Sequence, residues 1–190
     1  MTGIGAAMAG GNPRKGRQAE DYYPSPADVT EALLAVWKPQ ASTVWEPACG
    51  CGAMSRVIEA HGFDVISTDI ADRGYGEPGV DFLTSDKRAD CIITNPPFNL
   101  SAAFINHAAD IGVTEMALVL KSTYWHAAKR QQVWQRHPPS LVMPLLWRPD
   151  FLNRGGPTME MMWCVWSRDR EITEYRPLKR PIAVAGGLLV

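Results

Sequence analysis

The chain has no apolar run approaching the roughly 20 residues that a membrane-spanning helix needs, so no membrane partner is expected. Its first residues, Met1 to Gly11, are rich in Gly and Ala. They lack a charged start followed by a strong apolar stretch, which makes them a poor signal peptide. A cytoplasmic protein is the expectation. Cysteine is scarce and badly spaced for metal. Among Cys49, Cys51, Cys91 and Cys164 no CxxC pair exists, and Cys49-x-Cys51 sits in a glycine loop with no second ligand cluster beside it. A metal site is therefore not expected. Cys91 and Cys164 fall in apolar runs as small buried hydrophobes, and reduced thiols suit the cytoplasm. No internal repeat or extended low-complexity block is visible after residue 20, and 190 residues fit one domain with a substantial core.

What is present is an ordinary globular composition, 46% hydrophobic and 21% charged. The net charge of −1 conceals a lopsided distribution. Residues 1–120 hold 8 Lys/Arg against 15 Asp/Glu, whereas residues 121–180 hold 11 against 5. The second half is thus a candidate phosphate-facing surface, with solvated surface charge as the plain alternative.

Residues 1–20 read as a basic, Gly-rich flexible arm. After Pro24-Ser25-Pro26, Val29, Leu33, Val36 and Trp37 fall at helical spacing, which predicts a helix over 28–37. Short apolar runs then alternate with helical ones: strands over 43–48, 65–70, 89–94 and 116–121, and helices over 54–61, 101–110 and 124–136. Two late strands, 141–146 and 160–166, are separated by a Pro/Gly-rich loop and are expected to pair antiparallel. Such alternation predicts an α/β fold, a doubly wound, mostly parallel Rossmann-like sheet. The domain is expected over 21–170, with a tail over 171–190.

Asn95-Pro96-Pro97-Phe98 follows the apolar run Cys91 to Thr94. Two prolines forbid the strand from continuing, because neither can donate a ladder hydrogen bond. A stiff loop results at the strand's C-terminal end. It presents an amide side chain, rigid carbonyls and one aromatic ring, a set that suits a planar amino group. The Asn95 oxygen and the Pro96 carbonyl can accept its two N–H bonds while Phe98 stacks on its ring; a Pro-terminated strand with a core Phe is the plainer reading.

Upstream, Glu46-Pro47-Ala48-Cys49-Gly50-Cys51-Gly52 leads from a strand into a helix. Glycines at such a turn let backbone approach a ligand, although the full GxGxxG pattern is missing. Asp69 closes the next strand about 20 residues on, where an acid can accept ribose hydroxyls. Asp81-Phe82 offers an acceptor for an exocyclic amine beside a ring able to cover an adenine. Each has a structural alternative: Asp69 a turn acid, Asp81 a cap, Phe82 core. Together they describe a nucleoside-containing cofactor.

The order of Tyr-Pro-Ser-Pro, Glu-Pro-Ala-Cys-Gly-Cys-Gly, Asp69, Asp81-Phe82 and Asn-Pro-Pro-Phe resembles S-adenosylmethionine-dependent amino-methyltransferases. It is most similar to DNA adenine-N6 methyltransferases, particularly small phage or prophage forms, over about residues 20–166. The resemblance implies S-adenosyl-L-methionine as cofactor. Tyr22, Tyr23, Pro24 and Ser25, with Glu46, Ala48, Cys49 and Gly50, would contact its methionine. Asp69, with Ile70 beside it, would hold the ribose, and Asp81 and Phe82 the adenine. Asn95, Pro96, Pro97 and Phe98 would be the catalytic loop. By drawing the target amine's hydrogens out of plane, Asn95 and Pro96 would localise its lone pair for in-line attack on the methyl group.

A target in duplex DNA must be flipped out and stacked. Phe98 is the first candidate face and Phe151 the second, unless Phe151 folds back on the core. Lys121 and Tyr124, at the end of a central strand, with Arg148 and Arg154, complete the expected substrate contacts. The seven tryptophans are expected in core and interfaces. Two departures stand out: Cys51 adds a thiol to the cofactor loop, and in place of a recognition region of many tens of residues the only sizeable candidate is the loop from Trp147 to Thr158 with the tail after Ser167. RNA or a protein glutamine are alternative acceptors for the same chemistry. A non-catalytic cofactor-binding subunit is the alternative from another class.

Overall fold

A computed structural model describes residues 23–153, 155–168, 172–184 and 187–189. The arm, Tyr22 and Arg154 lie outside the described residues. Helix α1 (Ala27–Val36) follows Pro26 and leads to β1 (Thr43–Glu46), α2 (Ala53–Ala60) and β2 (Asp64–Asp69). A two-residue strand β3 (Glu77–Pro78) and a 3₁₀ turn (Phe82–Thr84) precede β4 (Cys91–Thr94), α3 (Ser101–Asp110) and β5 (Glu115–Lys121). Then come α4 (Gln131–Arg136), β6 (Leu141–Pro144), β7 (Met161–Ser167), β8 (Glu174–Tyr175) and a separate hairpin, β9 (Ile182–Val184) with β10 (Gly187–Leu189).

Eight strands form one sheet in the order β3-β2-β1-β4-β5-β7-β6-β8. Pairing is parallel from β3 to β5, whereas β7 lies antiparallel between β5 and β6. The doubly wound α/β reading and the antiparallel pairing of the late strands both hold. Because β1 pairs with β2 on one side and β4 on the other, the chain switches direction there, and a crevice opens at the strands' C-terminal edge.

Alternation along the strands feeds two cores. Cys91 and Ile93, Ala117 and Val119, and Met161, Trp163 and Val165 face the layer that includes α1 and α2. Ile92, Leu118, Leu120, Met162 and Cys164 face the α3 layer. Strands buried on both faces read as continuous apolar runs, which is why their sequence signal was strong. Trp163 Nε1 donates to the Val29 carbonyl at 2.9 Å and pins α1 to the sheet.

Three expectations need correction. The helix foreseen over 124–136 is broken into 3₁₀ turns at Tyr124–His126 and Ala128–Arg130 before α4 begins. Ala127 is extended (φ −84°, ψ 122°), and the Arg130 guanidinium takes the Tyr124 carbonyl at 2.7 Å, an acceptor that a continuous helix would have used itself. The strand foreseen over 43–48 stops at Glu46, where Pro47 ends its ladder. The segment after 171, expected as a tail, adds β8 to β6 and buries Leu178, and Arg180 bonds Asp28 at 2.7 Å.

Trp163→Phe should lower stability by about 1–2 kcal/mol, the worth of one buried hydrogen bond. The change should appear as a lower denaturant midpoint at unchanged slope. An unchanged midpoint would show that the indole bond does not secure α1.

Candidate active site

The loops after β1, β2 and β4, with residues 23–25 ahead of α1, enclose a cavity of about 640 Å³. That is within the usual range for small-molecule sites. Pro47 and Pro96 end their strands, so these loops start at the same sheet edge.

The first loop is built around two buried acids. Glu46, 2% exposed, accepts from the Ser55 hydroxyl, which in turn lies 2.7 Å from the Ser67 hydroxyl. Burial holds the Glu46 carboxyl well above the ordinary carboxylate range; the Ser55 hydrogen bond opposes this and the Asp69 charge reinforces it. Asp69 accepts from the Gly50 amide at 2.8 Å and the Ala71 amide at 2.9 Å, locking the loop after β1 to that after β2. Each oxygen keeps a further lone pair. Asp69 is therefore a turn acid that retains capacity for a ligand hydroxyl.

Cys49 is buried, and its thiol is pushed up to about 12, chiefly by desolvation and then by the charges of Glu46 and Asp69. It acts as packing: its sulfur approaches the Tyr75 carbonyl at 3.6 Å, and a Cβ on Gly76 would fall 2.9 Å from it. Gly52 (φ 76°) passes so close under the Tyr75 ring that a Cβ would sit 2.4 Å from it.

The cavity's apolar end is formed by Ile70, Val80, Phe82, Leu100 and Phe104. Phe82 packs against Phe104 with ring centroids 4.6 Å apart, so it is core and cavity wall at once. Asp81 Oδ1 accepts from the Leu83 amide at 3.0 Å, the capping role, while the residue still borders the cavity.

Asn95 is the most constrained side chain. Its Nδ2 donates to the Tyr23 carbonyl at 3.0 Å and the Ser25 hydroxyl at 3.1 Å. A carbonyl cannot donate, so this pairing determines which end of the amide is oxygen. Asn95 Oδ1 is buried without any hydrogen-bond partner, an arrangement that costs roughly 1–3 kcal/mol unless something donates to it.

Of the expected cofactor residues, Tyr23, Pro24, Ser25, Glu46, Ala48, Cys49, Gly50, Asp69, Ile70, Asp81, Phe82 and Asn95 all border this one cavity. Arg73, Asn99, Leu100 and Phe104 border it too and were missed. Asn99 and Leu100 directly follow Asn95–Phe98, which was a usable signal; Arg73 lies four residues beyond Asp69, and Phe104 was hidden as an ordinary apolar position of α3.

The substrate residues are less collected. Phe98 lies outside the cavity lining. Its ring stacks on Tyr23 with centroids 5.5 Å apart, and Lys121 Nζ sits 4.5 Å from its centre. Phe151, expected as a second stacking face, is 5% exposed and meets Tyr23 edge-on within the core, so it offers no face to a base. Tyr124 is likewise buried, with Arg130 over its ring, and cannot reach a substrate from there. Arg148 is ion-paired with Glu160 at 2.6 Å on the surface. Among the described residues no group of three or more His, Cys, Asp or Glu could hold a metal, and no helix is long and apolar enough to cross a membrane.

No family model and no curated protein matches the chain. Solved structures do. A type I restriction-modification methyltransferase subunit from Streptococcus thermophilus is 14% identical, with a TM-score of 0.58 over 83% of this chain and 47% of that one. A dimethyladenosine transferase from Plasmodium falciparum is 15% identical, with a TM-score of 0.54 over 76% of this chain and 62% of that one. The Pyrococcus abyssi tRNA (uracil-54, C5)-methyltransferase, solved with S-adenosyl-L-homocysteine, is 12% identical, with a TM-score of 0.52 over 73% and 36%. This chain thus spans less than two thirds of each, and about half of the restriction-modification subunit. What it shares with them is the Rossmann-like methyltransferase fold.

Glu46 generates a pH prediction. With its folded value raised, the stability it contributes is complete below its unfolded value and is lost as pH rises through the folded one. Melting temperature should therefore fall as pH climbs past the ordinary carboxylate range, and Glu46→Gln should flatten that limb. Parallel curves for the two proteins would reject a raised Glu46.

Proposed function

We propose that this chain is an S-adenosylmethionine-dependent methyltransferase acting on the N6 amine of adenine in DNA. The observation that carries this reading is the Asn95 amide. Its nitrogen is held by Tyr23 and Ser25, and its oxygen is buried and unpartnered, in a residue that borders the cavity. An acceptor kept in that state is poised for a donor brought by a ligand, and an exocyclic amine is such a donor.

The residues present fit the cofactor. Asp69 would take ribose hydroxyls on its spare lone pairs. Ile70, Phe82 and Leu100 would sandwich the adenine, and Asp81 would accept from its amine. Glu46, Ala48 and the Tyr23–Ser25 segment would face the methionine, where a cationic amino group would favour the Glu46 carboxylate. When bound, S-adenosylmethionine supplies an electrophilic methyl group. The chain's own contribution is positioning: Asn95 Oδ1 and the Pro96 carbonyl accept the two amine hydrogens, concentrating the nitrogen lone pair. Ser25 and Tyr23 act through Asn95 as positioning residues. Lys121, already at the Phe98 ring, would meet the phosphate beside the target.

The basic balance of residues 121–180 supports a nucleic acid over a protein acceptor. RNA is the second reading, favoured by fold neighbours described as acting on it. Incubating the purified chain with cofactor and either DNA or RNA, then identifying the methylated nucleoside by mass, separates the two. Methyl transfer by the chain alone also excludes a catalytically idle subunit.

Asn95→Ala should lower the single-turnover rate by at least a hundredfold while changing cofactor affinity less than about threefold, because the acceptor matters most in the transition state. Ser25→Ala should reduce the rate by a smaller factor and Ser25→Thr should restore it. A full rate in Asn95→Ala would rule out the proposed amine activation.

A further inference from the structure

A second cavity, of about 510 Å³, lies away from the first, between the 3₁₀ turns, α4 and the β6–β8 edge. Its walls are aromatic: Trp125, Trp134 and Tyr175 line it. Trp125 and Trp134 meet nearly at right angles, 79° with centroids 4.8 Å apart, so a flat ring lying on one would have its edge against the other. Tyr175 is 68% exposed, so its ring is open to an incoming ligand. Gln131, His126 and Thr173 supply hydrogen-bonding groups to the same space.

Charge narrows the occupant. In the segments that form this cavity, 125–136 and 173–176, Lys129, Arg130, Arg136 and Arg176 stand against one carboxylate, Glu174. Lys129, Arg136 and Arg176 are exposed, whereas Arg130 turns inward over Tyr124. An aromatic slot whose lining segments carry an excess of positive charge disfavours a cationic ligand and suits a planar ring carried on a polyanion. The chain also links the two regions closely. Trp125 is four residues beyond Lys121, which touches Phe98, a span of at most about 14 Å of backbone.

We propose that this cavity binds a second, unstacked base of the DNA strand whose target adenine enters the Asn95 site. The assignment rests on the nucleic-acid reading given above. It provides a place where bases beside the target are held apart from the catalytic loop. Stacking on Trp134 and Tyr175 tolerates any base, so the cavity contributes affinity and register more than sequence choice.

The test uses the full chain and a fluorescein-labelled, mixed-sequence single-stranded DNA, read by anisotropy at several salt concentrations. Trp134→Ala and Tyr175→Ala should each weaken binding about tenfold, the worth of one stacked base. Trp134→Phe should stay near wild type. The salt slope should not change, because no phosphate contact is removed, and calorimetric affinity for S-adenosylmethionine should stay constant. Should Trp134→Ala lose cofactor binding through misfolding, the exposed Tyr175 decides. Wild-type DNA affinity in the Tyr175→Ala variant would overturn the subsite while leaving the methyltransferase reading intact. A wild-type chain that takes up cofactor but binds no DNA would overturn both. Losses seen only with an RNA of the same sequence would overturn the DNA assignment. A change in oligomeric state by light scattering at constant DNA affinity would overturn it in favour of a second copy of the chain.

Discussion

Asn95 Nδ2 has two acceptors, the Tyr23 carbonyl and the Ser25 hydroxyl, and through them it joins the entry to α1 with the exit of β4. These segments lie about seventy positions apart, and the cavity exists only because they are brought together. The same contact leaves the opposite end of the amide, its oxygen, buried and without a hydrogen-bond partner. Structural closure and chemical readiness are one constraint. An apolar side chain at 95 would remove the tie and the acceptor together, which is why the effect on chemistry must be separated from that on folding.

A similar economy governs the other acids. Asp69 binds the Gly50 and Ala71 amides, holding the first two loops at the spacing a ligand would need, and keeps lone pairs in reserve. Glu46 is buried beside Ser55 and Ser67, in surroundings that resist its charge until a cation arrives.

The aromatics divide between two tasks. Trp45 and Trp163 are fully buried and tie layers together through their indole N–H groups, to Thr68 and to the Val29 carbonyl. Trp125 and Trp134 are half-buried at the edge of the sheet and line the second cavity. Trp125 also packs against the core, whereas Trp134 meets the Trp125 ring edge-on from the cavity side. The distinction depends on which residues cover each ring, and that is set by the break at Ala127 that turns a helix into two short turns.

The fold class and one wall of the site were legible in the sequence because they depend on local rules. Short continuous apolar runs mark the strands, prolines at 47 and 96 mark where they stop, and glycines at 50 and 52 mark the loop into α2. Those rules placed the expected cofactor residues at one sheet edge, since parallel strands end together. Only the tertiary structure decided which polar atoms were already committed. It gave Asp69 to two amides, Arg148 to Glu160, and Phe98 to Tyr23, and it drew Phe151 and Tyr124 into the core. Each of these outcomes joins residues far apart in the chain or depends on how a side chain packs, and no local pattern encodes such choices. Long-range pairing is selected by the free energy of burying and satisfying every group at once.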